Sequence, residues 1–543
     1  MNQNPDTWST RTERATDSLI GLFGWIPAVS RALAYRQHFR HMDRDPEYRR
    51  YIDAVMRTRG YTKSSEDYST PWYAGDRRSA DAEVIDSLPG LINKSRELSR
   101  VDPIGSGLFG SFVRNVIGPE ILPQATTDLP SRNARMEAVW AERKDVSAPA
   151  DDMDAGQAQA MRFQQILETG NLFVKKTKRS RRDPVWFETI EKDRVATPRD
   201  LVAGVDTGEG HEVRDGVEKD GWGVPVAYWV CKTHPGDITV SGTALKGKED
   251  FVRVPASEMN HLRLAERPGQ THGVPFLHAV LQDIRDLDLL VLAALKRVQI
   301  AACLSVFIQS EEAIADFEQK TARRYGYKLQ QMIEPGMIFK LFPDEKISTV
   351  IPNFPNSEFA PFILLLARRI GAALGVSWQI VLKDFSDSTY SSARSDLLES
   401  RQPWRILTNW YARRQLTWEW RAVLEDARLR GDTRMRGVTD AYIGQVQWIG
   451  VGWEWVDPLK EGQAVAIELG LQLTDPYTEC AKKGRDYEQV LKASFRAWDY
   501  RRKLHAKYGL PEPPPPTGTF DLEALKVVKD DDEEAKPKKQ EAA

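Results

Sequence analysis

Residues 261–304, HLRLAERPGQTHGVPFLHAVLQDIRDLDLLVLAALKRVQIAACL, contain the longest clean helical pattern in the chain. Pro275 stands at the start of this pattern, where the missing N–H of a proline is harmless in the first turn of a helix. Apolar residues then recur mostly at spacings of three, four or seven, as they do on one face of a helix. The pattern predicts a helix over 276–304, which would be about 40 Å long at 1.5 Å per residue.

The sequence before this helix divides into a helical part and a β-rich part. Helices are predicted over 91–100, 107–117 and 151–167, with a turn at Leu88-Pro89-Gly90. From 171 to 264, short apolar runs alternate with glycine-rich turns, which is typical of β-hairpins. The expected fold class is therefore α+β.

The sequence after residue 304 predicts a mixed segment followed by further helices. Strands are expected near 336–341 and 346–351, a second helix over 358–374 and a loop over 377–390. A long helix over 391–429 contains Pro403, where a kink is expected. Its four tryptophans favour a packed aromatic core over a ligand site; they are Trp404, Trp410, Trp418 and Trp420. Residues 464–507 are predicted to be helical.

Composition excludes several classes of protein. The chain has 543 residues with 76 Lys and Arg against 78 Asp and Glu, so its near-neutral charge argues against a protein that grips nucleic acid over its whole surface. Its cysteines are few and far apart, which argues against a disulfide framework or a zinc site; they are Cys231, Cys303 and Cys480. No apolar run is long and charge-free enough for a membrane span. We expect no metal and no cofactor.

Two short motifs resemble nucleotide-binding sequences. Residues 242–249, GTALKGKE, nearly match a phosphate-binding loop, but Glu249 replaces the required Ser or Thr and a strand-like run follows instead of a helix. This favours a charged hairpin turn. Residues 105–110, GSGLFG, fit G-x-G-x-x-G without a convincing strand before them, which favours a helix entry. We find no convincing enzyme site.

A basic run at 175–182 could contact phosphates. Its charged residues are Lys175, Lys176, Lys178, Arg179, Arg181 and Arg182. The alternative interpretation, a solvated hairpin tip, is favoured because no aromatic residues are interleaved with the charges.

Five segments together resemble the lambda-type portal proteins of tailed bacteriophages. The segments are Pro27 to Arg36, Leu91 to Gly118, His261 to Asp288, Gly371 to Glu399, and Asp457 to Asp486. Each string is weak alone, but their order and spacing hold over roughly residues 17–510.

The resemblance implies a portal fold with an α/β wing, a two-helix stem, a small α/β clip and a helical crown, assembled as a ring. The implied divisions are a flexible N-terminus (1–16), the wing (17–275, β-rich at 171–264), a stem helix (276–304), the clip (305–356), a second stem helix (357–376), a tunnel loop (377–391), a kinked helix with the wing return (392–456), the crown (457–510) and a disordered tail (511–543). Within the first stem helix, the residues singled out are Leu277, Ile284, Asp286, Asp288 and Val291.

The family implies a dodecameric ring at one capsid vertex, a DNA channel through which the genome is packaged and later ejected. Implied partners are other copies of the chain, double-stranded DNA in transit, the large terminase subunit, head-completion or adaptor proteins, and the major capsid and scaffold proteins, with no membrane. The implied location is the virion, after assembly in the host cytoplasm. The family is not enzymatic.

The presumed tunnel loop is polar and nearly neutral, as a surface that lets DNA slide should be, because neutralising several phosphates produces tight binding. Its DNA-facing candidates are Lys383, Asp384, Ser386, Asp387, Ser388, Thr389, Tyr390 and Ser391. Two rivals remain. One is a nucleic-acid-processing enzyme that uses the basic run, and the other is a nucleotide-driven motor that uses Lys248.

Overall fold

The computed structural model combines helices with small antiparallel sheets. It describes residues 79–143, 152–178, 180, 182–198, 201, 210–237, 248–302, 306–310, 345–349, 359–386, 389–453 and 458–515. The expected flexible N-terminus, the first part of the wing, residues 336–341 and the tail beyond 515 lie outside these ranges.

The described chain begins with two consecutive helices, α1 (Ala80–Val101) and α2 (Pro103–Val116). The turn expected at Leu88-Pro89-Gly90 is wrong, because α1 continues through Pro89. Proline normally interrupts a helix, but Leu88, Leu91 and Ile92 are buried around this point, and tertiary packing supplies most helical stability in proteins. Helix α2 begins four residues before its predicted start, since the Asp102 carboxylate accepts a hydrogen bond from Gly105 N at 2.6 Å.

Strand β1 (Leu122–Ala125) and helices α3 (Pro130–Arg143) and α4 (Ala155–Thr169) follow. Helix α4 begins with a capping box formed by Asp154 and Gln157 and ends at Gly170. Gly170 has φ +74°, a left-handed conformation that glycine adopts without strain. The predicted end of this helix is confirmed to within two residues.

The β-rich region predicted for 171–264 is confirmed as two antiparallel sheets. One has the order β3-β2-β8 and the other β4-β5-β6-β7. The bounds are β2 Asn171–Thr177, β3 Trp186–Ile190, β4 Glu212–Arg214, β5 Val217–Lys219, β6 Pro225–Cys231, β7 Phe251–Pro255 and β8 Met259–Arg263. A shared apolar cluster that includes Phe173, Tyr228, Val254 and Met259 packs the sheets together.

The long helix α5 spans Leu281–Ala302 and starts five residues later than predicted. Residues 276–280 form turns instead, in which His278 N donates to Pro275 O at 3.0 Å and Val280 N to Leu277 O at 2.9 Å. Phe276 N donates to Leu167 O at 2.9 Å and ties this stretch to α4. Beyond α5, β9 (Val306–Ser310) pairs antiparallel with β10 (Glu345–Thr349), which confirms the later of the two strands expected there.

The second predicted helix is confirmed as α6 (Phe359–Leu374). It is followed by a short helix, α7 (Trp378–Leu382), and then by α8 (Tyr390–Tyr411), a π-helical turn (Ala412–Leu416) and α9 (Thr417–Leu429). Helix α8 continues through Pro403, and the helical type changes instead at 412–416. Trp404 and Trp420 are buried in the main apolar cluster, and Trp410 and Trp418 pack against that cluster, which confirms the aromatic core.

The C-terminal part contains α10 (Asp440–Ile443), β11 (Val446–Ile449), α11 (Pro458–Gly470), α12 (Pro476–Lys482) and α13 (Tyr487–Lys507). Strand β11 pairs with β1. The single helix expected over 464–507 is wrong, because the side chains of Asp475 and Asp486 each cap a new helix. None of the helices in the described ranges is long and apolar enough to cross a lipid bilayer.

Candidate functional site

The segment between α6 and α8 is the first candidate site, and its backbone is held in a tight reversal. Gly375, with φ +69°, ends α6, and Val376 N then donates to Gly371 O at 3.0 Å. A Cβ atom on Gly371 would lie 2.5 Å from Val376 O, so glycine is needed for this close approach. The reversal brings α7 directly onto α6.

Helix α7 corrects the expectation of an uninterrupted loop over 377–391. Buried Gln379 donates through Nε2 to Asp396 Oδ2 at 2.7 Å, and Ser377 N donates to Ser400 Oγ at 3.1 Å. Both partners lie on α8, so the segment is attached to the helix that follows it. Within 377–391, the described residues outside helices are therefore only 377, 383–386 and 389, and Asp387 and Ser388 lie outside the described residues.

The exposed end of this segment carries balanced charges. Lys383 ends α7 with φ +58°, and partial burial together with the positive charge of Arg114 lowers the pKa of its ammonium. The side-chain and backbone hydrogen bonds from Ser386 lower the pKa of the Asp384 carboxyl. One cation and one anion thus stand side by side on the exposed end.

The other candidates in this segment lie at the start of α8. Thr389 Oγ1 accepts a hydrogen bond from Ser392 N at 3.3 Å and caps the helix. Tyr390 and Ser391 are its first two residues. These residues therefore belong to the start of a helix, whereas the sequence interpretation had placed them in a loop.

Helices α5 and α6 pack against each other, and the burial of the α5 side chains decreases along the helix. Leu277, which precedes α5, and Ile284 within it are buried, whereas Val291 is 48% exposed. Across the two helices, Arg369 Nη2 donates to Asp283 at 3.0 Å. From Asp288 to Gln299, every described residue of α5 except Leu290 and Ala294 is exposed, although many are large and aliphatic. This half of α5 is apolar without being covered by the described chain.

The two acidic candidates of α5 have different surroundings. Asp286 accepts a hydrogen bond from Gln282 Nε2 at 2.9 Å, one turn earlier on the same helix. Asp288 is exposed. Burial raises the pKa of Asp102, and the negative charge of Asp288 raises it further.

The basic run is partly neutralised by the fold. Lys178 forms an ion pair with Asp426 of α9, and Lys176 Nζ lies 5.3 Å from the ring centre of Trp418. Lys175, Lys176 and Lys178 share a cleft of about 500 Å³ with three carboxylates, Glu258, Glu425 and Asp426. Arg182 is exposed, and Arg179 and Arg181 lie outside the described residues. This environment favours the hairpin-tip interpretation over a phosphate-binding surface.

The described parts of the two nucleotide-like motifs differ from the structures that nucleotide binding requires. Residues 105–110 lie inside α2, and the element before α2 is a helix. The described end of the other motif, Lys248–Asp250, forms a 3₁₀ turn that leads directly into β7. A phosphate-binding loop opens a helix instead. The rest of that motif lies outside the described residues.

One group of side chains in the described ranges has the composition of a metal site: Glu191, Asp193 and His234. Arg96 Nη2 donates to Asp193 Oδ2 at 2.6 Å, and His234 Nε2 lies 2.9 Å from Glu191 Oε2. The carboxylates are therefore already paired within the protein. The sequence interpretation did not single out this group.

Sequence reasoning missed helix α7 and a buried polar cluster. For α7, Ser377 followed by the apolar run of 378–382 was an available signal, since serine is a preferred helix N-cap residue. The cluster joins Arg162 of α4 to Glu419 of α9, and 257 positions separate the two residues. No local pattern marks such a pair.

Comparison with known proteins identifies the family. The family model for "Phage portal protein, lambda family" matches residues 69–407, which is more than half of the chain. The chain belongs to the lambda family of phage portal proteins.

Individual relatives are distant. "Probable portal protein" of Halomonas phage phiHAP-1 is 28% identical over 309 residues, covering 56% of this chain and 58% of the relative. "Portal protein B" of Escherichia phage lambda is 23% identical over 408 residues, covering 68% of this chain and 74% of the relative. The chain thus matches less than two thirds of the phiHAP-1 protein. Among solved structures, a chain from the neck of a native GTA particle computed with C12 symmetry has a TM-score of 0.43 and 15% identity, covering 72% of this chain and 93% of that one.

Proposed function

We propose that this protein forms a ring at one vertex of a phage capsid, through which double-stranded DNA is packaged and later ejected. The proposal rests first on membership of the lambda portal family. In this proposal the protein has a structural role without turnover. The large terminase subunit, a head-completion protein, and the capsid and scaffold proteins would dock on the ring during assembly in the host cytoplasm.

The observation that carries the ring is the apolar surface of α5 and α6 that the described part of the chain leaves uncovered. On α5, Leu289, Leu292 and Leu295 are each substantially exposed, and on α6 Phe362 and Leu365 are exposed as well. Monomeric soluble proteins rarely expose contiguous apolar patches of this kind. A closed ring would cover it, because each subunit presents one face to its neighbour on one side and a second face on the other.

In the ring, α5 and α6 would be the stem, β9 and β10 part of the clip, and residues 377–391 the segment that faces DNA. The sheets β2–β8 would belong to the wing and α11–α13 to the crown. The near-neutral end at Lys383 and Asp384 supports contact without tight binding, since phosphate neutralisation produces strong and salt-dependent affinity.

The assembly is tested by light scattering and negative-stain imaging of the purified protein. We expect a ring of about a dozen subunits with a central hole, following the symmetric closure of homo-oligomers. The double variant L292D/L295D should prevent the ring from forming, because it places charges on the apolar surface. Leu429→Asp is the matched control, since Leu429 is 82% exposed and lies outside both helices. A monomer with nuclease or ATPase turnover would overturn the proposal.

The DNA-facing segment is tested separately in a packaging assay. Reversing its charges with Lys383→Glu, Asp384→Lys and Asp387→Lys should reduce the amount of DNA packaged while rings still assemble. Lys503→Glu on α13 serves as a control for a charge reversal elsewhere. Unchanged packaging by the triple variant would remove the support for this assignment.

A further inference from the structure

Helix α13 carries an apolar and basic groove that the described chain leaves open. The groove is lined by Leu491 and Phe495, with Lys492 and Arg496 beside them and Glu488 at one end, and its volume is about 380 Å³. Phe495 is 52% exposed. None of the residues of α13 is buried. A groove that combines exposed apolar side chains with basic ones fits a segment that offers apolar and acidic side chains in return.

The groove lies on a face of α13 whose later part is contacted by the chain that follows the helix. Leu491, Trp498 and His505 are spaced by seven residues, and Phe495 and Arg502 have the same spacing. Residues seven apart lie on the same face of a helix, two turns from each other. The groove and the positions at Trp498 and His505 therefore form one continuous face.

The chain after α13 folds back along this face. The Pro511 carbonyl lies 2.5 Å from His505 Nδ1, and Trp498 Nε1 donates to the Pro513 carbonyl at 3.2 Å. Pro513 thus contacts a residue that lies two turns closer to the start of α13 than the residue that Pro511 contacts. The described chain ends at residue 515 while running in the direction of Phe495.

The residues that follow have the length and chemistry to occupy the groove. Leu491 lies about 10 Å from Trp498 along the helix axis at 1.5 Å per residue. Proline-rich chain extends by about 3.1 Å per residue, so the seven residues from Pro513 to Phe520 are more than sufficient. Residues 520–528, FDLEALKVV, alternate apolar and acidic side chains at their start.

We propose that residues 520–528 of the same chain bind the groove on α13. Phe520 and Leu522 would cover Leu491 and Phe495, and the carboxylates of Asp521 and Glu523 would lie near the basic residues. Lys492 Nζ already lies 3.2 Å from Glu488 Oε2. Arg496 makes no ion pair with any residue that the structure describes, so it is the cation available for this contact. The short connection gives the chain's own segment a high effective concentration compared with any separate partner.

Hydroxyl-radical footprinting of the full-length protein tests this assignment. In F520S/L522S, Phe495 should be oxidised several-fold more than in the unaltered chain, because its cover is lost. In the matched control D531S/D532S, which changes two tail residues outside the segment, oxidation of Phe495 should not change. Equal oxidation of Phe495 in all three proteins would overturn the proposal.

Cross-linking identifies the occupant. A photoreactive benzophenone amino acid at position 491 should cross-link to residues 516–528. In a mixed preparation of light and heavy isotope-labelled protein, each cross-linked product should contain either two light peptides or two heavy peptides. Products that join light to heavy chains would mean that a neighbouring subunit's tail occupies the groove. Products outside the tail would mean that another surface covers it. Either result would overturn the assignment to the chain's own segment.

Discussion

Replacing Arg162 with methionine should strongly destabilise the fold, because Arg162 is the cation of a fully buried ion pair. Arg162 and Glu419 side chains are each only 1% exposed, and Arg162 Nη1 lies 2.7 Å from Glu419 Oε1. The same guanidinium donates to Thr189 Oγ1 at 2.9 Å and to the Phe187 carbonyl at 3.0 Å. It therefore joins α4, β3 and α9 at one point.

The magnitude follows from what the substitution leaves behind. Methionine fills similar space but cannot donate, so the Glu419 carboxylate loses the guanidinium while Gln415 Nε2 still donates to it at 2.7 Å. Removing one partner of a buried ion pair costs about 3–5 kcal/mol. At about 2–4 °C per kcal/mol, the value for a cooperative unit of about 150–250 residues, the thermal midpoint should fall by about 6–20 °C.

Calorimetry of Arg162→Met, Glu419→Leu and the double variant measures this effect. The double variant should recover most of the loss, because replacing a buried ion pair with apolar residues is often neutral or stabilising. Lys503→Met is the control, since its pair with Asp499 is exposed to solvent and exposed ion pairs contribute little to stability. If Arg162→Met changed the midpoint no more than Lys503→Met does, the argument from burial would be refuted.

Two further predictions concern the pH dependence of stability: the contribution of Glu137 is lost as pH rises, and that of His272 is lost as pH falls. Burial, together with the negative charge of Asp486, raises the pKa of the Glu137 carboxyl to about 7, so the stability it contributes is lost as pH rises from about 4.5 through 7. Glu137→Gln should therefore raise the thermal midpoint more at pH 8 than at pH 5, and an equal effect at both would contradict this. Burial, together with the positive charge of Lys192, lowers the pKa of His272 well below its usual range, so its contribution is complete above about pH 6.5 and is lost as pH falls. The drop in midpoint between pH 7.5 and 5.5 should be smaller in His272→Gln, and an identical drop would exclude His272 as the titrating group.

The sequence predicted those parts of the fold that depend on local signals. Helix α4 ends at Gly170 and α6 at Gly375, as expected, since a residue with positive φ marks the end of a helix through its own conformation. The π-helical turn at 412–416 has no such signal. Asn260 Nδ2 of β8 donates to the Arg414 carbonyl at 3.1 Å and to Gln415 Oε1 at 2.8 Å, so a side chain about 155 positions away supports this turn.

The candidate site shows the same division. The polar, nearly neutral character of 383–391 was available from the residues alone, whereas the attachment of α7 to α8 through Gln379 and Asp396 arises only in the folded chain. The basic run at 175–182 is a second example. Sequence reveals the charge of Lys178, but its neutralisation by Asp426 arises from a residue nearly 250 positions later.

These contacts also indicate what positions the candidate DNA-facing segment. Helix α8 has 22 residues and is about 33 Å long at 1.5 Å per residue. One end follows the exposed segment at Lys383, and the other leads into the π-helical turn, which Asn260 holds against β8. Near this turn, Gln415 donates to Glu419, the partner of Arg162. The segment is thus attached through a rigid helix to a buried polar cluster. Substitutions at Lys383 and Asp384 leave this distant attachment intact, although Asp384→Lys also removes the hydrogen bonds that Ser386 donates. Ring assembly by the charge-reversal variant is therefore the measurement that separates an effect on DNA contact from an effect on folding.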